Sequence, residues 1–212
     1  MGKSTGRIHY DYRKISKTDF NIELDEIISS GISFMRINPL KDNLSLEEGQ
    51  LIAAACKGKV DLIVVDDLDY ALGIDAQGLY ITSQELKVED IMKAHPELSI
   101  GALAGSVAEC KNWELKGVDY IELNVNPRKD VKPDLPTILG TEIFKDLISK
   151  EESYGWMILS LNTPVIVSGL TSISQLRGLE KHADFHGVLI TELFENKAVL
   201  TDKVARILEV FK

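Results

Sequence analysis

The chain has 212 residues, 44% hydrophobic and 27% charged, a length and balance that suit one well-filled globular domain over 1–212 and exclude a disordered or fibrous chain. Its 24 basic against 33 acidic residues give a formal charge of -9 with no basic tract, which disfavours a nucleic-acid partner. No apolar run approaches the length of a membrane span, and the start MGKSTGRIHY lacks an apolar signal region, so a soluble, cytoplasmic protein with no membrane partner is expected.

From Arg7, RIHYDY is β-prone, and Asp19 to Ser30 carries apolar residues at Phe20, Ile22, Leu24, Ile27 and Ile28 before Gly31 stops it, a strand followed by a helix. Ile32 to Ile37 reads as the second strand, and Ser45 with Glu48 forms a capping box that opens a helix through Cys56. Strand three is Asp61 to Val65, with a short helix over Leu68 to Ile74. Strand four is Gly78 to Ile81, with a helix near Val88 to His95. Strand five, Leu98 to Leu103, leads to a helix from Ser106 to Lys116, and strand six is Asp119 to Val125. A proline-bearing loop from Asn126 to Gly140 then interrupts the alternation, and a loop of that length inside a compact domain is more often a lid or binding loop than filler. Helix resumes over Thr141 to Leu161. Strand seven is Val165 to Ser168, followed by a helix opened by Ser172 and Gln175; strand eight is Gly187 to Ile190, and Asp202 to Phe211 is the last helix.

Successive βα units with strands as apolar as DLIVV, PVIVS and GVLI are what a (β/α)8 TIM barrel requires, with a doubly wound open sheet as the alternative. In a barrel the active site lies where strands end and loops begin. Asp66 and Asp67 follow strand three and Glu85 follows strand four. Neighbouring parallel strands lie about 4.8 Å apart, close enough for a carboxylate from each, Asp66 or Asp67 with Glu85, to share one Mg2+, which takes one or two carboxylates plus phosphate oxygens. A solvated acidic rim is the competing reading, and Asp69 caps the following helix or faces solvent.

The same places offer candidate anion contacts. Arg36 lies at the end of strand two with Asn38 and Lys41 just after it, and Arg128, Lys129 and Lys132 lie in the loop after strand six, where they could clamp a pyrophosphate or simply face water. Ser106 opens a helix, as an anion receiver or only as a cap. Ser168 and Gly169 begin SGLTS after strand seven, where barrels often hold a phosphate, although Glu192 beyond strand eight would repel one. The GKST at Gly2 to Thr5 lacks the preceding strand and glycine of a phosphate-binding loop. His9, His95, His182 and His186 show no ligand or nucleophile spacing, and Cys56 and Cys110 read as packed thiols.

The order VVDDLDYALGIDAQGLYITSQEL, IGALAGSVAEC, GVDYIELNVNPRKDVK, PVIVSGL and FHGVLITEL resembles the thiamine phosphate synthase family from strand two onward. That resemblance implies a (β/α)8 barrel that joins a hydroxymethylpyrimidine diphosphate to a thiazole phosphate, releasing pyrophosphate with magnesium. It places the metal aspartates on Asp66 and Glu85, the serine after strand five on Ser106, the loop lysine on Lys132 and the strand-seven glycine on Gly169. It implies small phosphorylated substrates as partners and leaves assembly into a homo-oligomer open. Several positions depart from the pattern. Lys129 and Val131 replace loop threonines, Val65 and Asp67 flank the metal aspartate in place of asparagine and arginine, and Glu192 replaces a small residue. Glu122 and Asn124 replace two glycines of strand six and share one face by the period of two. Val125 stands where a related tautomerase branch has its histidine. These departures keep two other readings open: a non-catalytic or repurposed barrel that binds a phosphate ligand, and another phosphate-handling barrel enzyme of epimerase or aldolase type with Glu122 as its acid or base.

Overall fold

The computed structural model describes residues 7–12, 20–83, 86–125, 155, 158–190 and 199–211. Eight strands form the barrel: β1 (Arg7–Asp11), β2 (Phe34–Ile37), β3 (Asp61–Val65), β4 (Gly78–Ile81), β5 (Ser99–Ala104), β6 (Tyr120–Asn124), β7 (Val165–Ser168) and β8 (Gly187–Ile190). Each pairs in parallel with the next, and β8 returns to β1 with Ile8 opposite Val188, so the sheet closes. Closure makes this the (β/α)8 TIM barrel that the alternation predicts and excludes the open sheet.

The described helices are α1 (Phe20–Ser29), α2 (Pro39–Asp42), α3 (Leu46–Cys56), α4 (Leu68–Gly73), α5 (Val88–Ala94), α6 (Val107–Lys116), α7 (Ile173–Glu180) and α8 (Leu200–Val210). Most of the expected loop and helix between Asn126 and Leu161 lies outside the described residues, as do Gly2 to Thr5. The capping box at Ser45 is present, its hydroxyl accepting from the Glu48 amide while Glu48 accepts from the Ser45 amide. Asp67, not Asp69, caps α4 by accepting from the Tyr70 amide, and Asp69 is exposed. Helix α2 is not expected from the sequence, because a single turn opened by Asn38 and Pro39 is too short to show periodicity.

The strands are buried on both sides, and the period of two sorts their side chains. Outward residues such as Met35, Leu62, Leu79, Ile100 and Ile121 join the large apolar layer beneath the helices. Inward residues Ile63, Val65, Tyr80, Tyr120, Ile166 and Leu189 form a separate cluster with Phe34 and Leu103 in the lumen. Gly101 makes room there, because a Cβ at this position would lie 2.0 Å from the Tyr120 ring. Both cysteines are buried free thiols, Cys56 pushed up to about 11 and Cys110 to about 12, mainly by burial. Among the described residues no helix is long and apolar enough to cross a membrane.

Candidate active site

At the C-terminal ends of β1 to β4 the wall opens into a cavity of about 140 Å³ lined by Asp11, Arg36, Asn38, Lys41, Asp42, Tyr80 and Thr82, among others. These positions follow from register: Asp11 lies opposite Arg36 across β1 and β2, and Val65 opposite Tyr80 across β3 and β4. Arg36 and Tyr80 point inward, and the Arg36 guanidinium lies 4.0 Å from the centre of the Tyr80 ring.

Arg36 is only 6% exposed and pairs with two carboxylates. Its Nε donates to Asp11 Oδ1 at 2.6 Å, and its Nη1 donates to Glu122 Oε2 in a buried contact. Because β2 and β6 are not neighbours, the second contact spans the lumen. Burial alone would favour discharging Arg36, but Glu122, with Tyr80 and Asp11, overrides it and holds the guanidinium protonated well above its ordinary range. Burial and then the Glu122 charge push the Tyr80 phenol up, although the geometry between the two groups falls short of an aligned hydrogen bond. Deeper in the lumen, His9 stacks on Phe34 at 4.3 Å and leans on Tyr120 at 5.4 Å. Burial first, then the charges of Arg36 and Arg7, lower its pKa to about 3, so it is neutral at physiological pH.

Asp66 directly follows β3 in a left-handed backbone conformation with φ 54°, which a short polar side chain tolerates better than most. Its Oδ1 accepts from the Thr82 amide at 2.8 Å and its Oδ2 from the Thr82 hydroxyl, so the residue after β4 grips the residue after β3. Each carboxylate oxygen retains acceptor capacity beyond these bonds. One such carboxylate fits magnesium, which keeps several waters and takes substrate phosphate oxygens alongside protein ligands. Among the described residues no three histidine, cysteine or acidic groups gather as a ready-made cage, and Glu85 lies outside them.

The other expected anion contacts divide. Asn38 accepts from the Lys41 amide at 2.9 Å to cap α2, and the exposed Lys41 lines the cavity beside it. Ser106 caps α6 by accepting from the Glu109 amide at 3.2 Å, while Glu109 accepts from Gly105 at 2.7 Å. Ser168 ends β7 with its hydroxyl buried and without a hydrogen-bond partner among the described residues. Gly169 follows at φ 79°, a conformation that favours glycine. Arg128, Lys129, Lys132 and Glu192 lie outside the described residues. Asp11, Tyr80 and Thr82 are lining residues that the sequence reading did not single out. Thr82 occupies the same place after β4 that Asp66 occupies after β3, but only the strand register brings the two together.

The family model described as thiamine monophosphate synthase matches residues 11–183. The chain belongs to this family. The thiamine-phosphate synthase of Bacillus licheniformis is 26% identical over 141 residues, covering 63% of this chain, and the chain spans 62% of that relative's length. The thiamine-phosphate synthase of Clostridium novyi is 25% identical over 174 residues, covering 77% of this chain and 84% of the relative. Among solved structures, the thiamine phosphate pyrophosphorylase from Pyrococcus furiosus superposes with a TM-score of 0.74 at 18% identity, covering 97% of this chain and 95% of that one. That last likeness bears on the fold alone.

Proposed function

We propose that this chain is a transferase of the thiamine phosphate synthase type, joining hydroxymethylpyrimidine diphosphate to a thiazole phosphate with release of pyrophosphate. The observation that carries the reading is the family match over residues 11–183, which spans the strand ends that build the Asp66 rim and its neighbouring cavity. Asp66, fixed by Thr82, would hold Mg2+ together with Glu85, and the bound metal would neutralise charge on the departing pyrophosphate. Lys41, Asn38, Ser106 and Lys132 would bind the diphosphate, with Ser168 and Gly169 toward the second phosphate. Arg36 lines the same cavity but spends two of its donors on Asp11 and Glu122. The chain's task is to orient two substrates and stabilise separating charge, and no covalent nucleophile is required. The protein would act as a soluble cytoplasmic enzyme on small phosphorylated substrates.

The experiment supplies both substrates with magnesium and follows thiamine phosphate by thiochrome fluorescence. Wild type should form product, and Asp66→Asn and Lys132→Ala should each lower the rate by roughly 10²-fold or more. No product at high enzyme concentration would refute the transferase. The reading then favoured is a repurposed barrel that binds a phosphorylated ligand without turnover, an alternative supported by the buried Glu122 carboxylate across the lumen.

A further inference from the structure

A guanidinium as deeply buried as that of Arg36 stays charged and must be paired. Here it is paired twice, by Asp11 at Nε and by Glu122 at Nη1. One cation between two carboxylates leaves the cluster with one excess negative charge. The two partners differ in origin. Asp11 comes from the strand adjoining β2, whereas Glu122 crosses the lumen from β6 and is itself only 4% exposed. An incoming phosphoryl group would therefore meet a carboxylate where one of its own oxygens would sit on Arg36.

We propose that Glu122 is a specificity-determining residue: an internal carboxylate that occupies the anion position of Arg36, bars phosphoryl groups from the barrel axis and confines them to the rim near Asn38 and Lys41. The inference rests on the barrel mouth being the ligand site, as proposed above, and says which part of a ligand goes where. The axis receives an uncharged ring, which can lie against Tyr80 and Arg36 without competing with Glu122. The rim receives the phosphates. A purely structural ion pair would stabilise the lumen equally well but would hide no anion site, and that difference decides between them.

The test measures binding of inorganic phosphate and pyrophosphate by titration calorimetry to wild type, Glu122→Ala, Glu122→Gln and the double variant Arg36→Met/Glu122→Ala. Removing the carboxylate should tighten phosphate binding at least about tenfold over wild type, with a phosphate-dependent rise in melting temperature, and the double variant should lose the gain. Should Glu122→Ala fail to fold, Glu122→Gln keeps the side-chain shape and carries the same comparison. Equal affinity in wild type and the Glu122 variants, or a gain that survives loss of Arg36, overturns the proposal. These readouts need no turnover. Thiamine phosphate formed by wild type with no phosphate gain in the variants removes this inference alone, and a gain without product in wild type removes the transferase reading alone.

Discussion

Asp66 owes its position to two separate constraints, a left-handed backbone at φ 54° and the grip of Thr82 on both carboxylate oxygens. Neither Thr82 group would touch a metal, yet together they fix the direction of the lone pairs that would. Thr82→Val keeps the amide donor and deletes the hydroxyl. It should raise the magnesium concentration needed for half-maximal activity by about 10–100-fold, the usual cost of losing a group that orients a metal ligand. At saturating metal the rate should stay within a few-fold of wild type, and Thr82→Ser should restore the wild-type requirement. A magnesium titration of the three proteins checks this, and an unchanged requirement in Thr82→Val would remove Thr82 from the site. Asp66 itself was legible in the sequence, because a carboxylate directly after the apolar run DLIVV has one place to go in a barrel. Its partner was not. Threonine after a strand has many uses, and only the β3–β4 register, with Val65 opposite Tyr80, brings Thr82 to Asp66.

At the level of strands, β5 and β6 interlock through an exchange of volume. Gly101 lies opposite Tyr120 in register, and the ring covers the space that a side chain at 101 would occupy. Gly101→Ala should therefore destabilise the barrel by about 1–3 kcal/mol through overpacking. In a Tyr120→Ala background the same substitution should cost much less, a coupling that a double-mutant cycle in urea measures. Additive effects would mean that the two positions do not share the space. The strands could be read from the chain because each is a short apolar run bounded by polar or turn residues, and the period of two puts Glu122 and Asn124 on one face, with Glu122 reaching across the lumen. That period says nothing about which residue waits across the lumen. Arg36 and Glu122 are 86 residues apart, and their pairing follows from barrel closure, not from any local pattern. Hence Arg36 reads from sequence as a free anion contact at a strand end, and in the folded chain two of its donors are already engaged.

Closure of the whole barrel places a histidine where water does not reach, and this makes global stability depend on pH. His9 lies on β1, which pairs with both β2 and β8, and it cannot be protonated without bringing a charge into the lumen beside Arg36 and Arg7. Its folded pKa is about 3 against 6.5 for the free side chain, so between these values the unfolded chain binds the extra proton. Its contribution to stability is therefore complete above pH 6.5 and falls as pH drops through the window toward 3. At about 1.4 kcal/mol per unit, the loss attributable to His9 is on the order of 2 kcal/mol by pH 5 and about 5 kcal/mol at most. The protonated carboxylates of a chain with net charge -9 add their own acid dependence, so the informative quantity is a difference between two proteins. His9→Phe keeps an aromatic ring against Phe34 and Tyr120 and removes the titrating group. Urea unfolding from pH 7 to pH 4 should give a shallower fall in stability for His9→Phe than for wild type, the two curves separating as pH drops below about 6.5. Parallel curves would show that His9 takes up its proton as readily in the folded barrel as in the unfolded chain, and would place the acid sensitivity with the carboxylates instead.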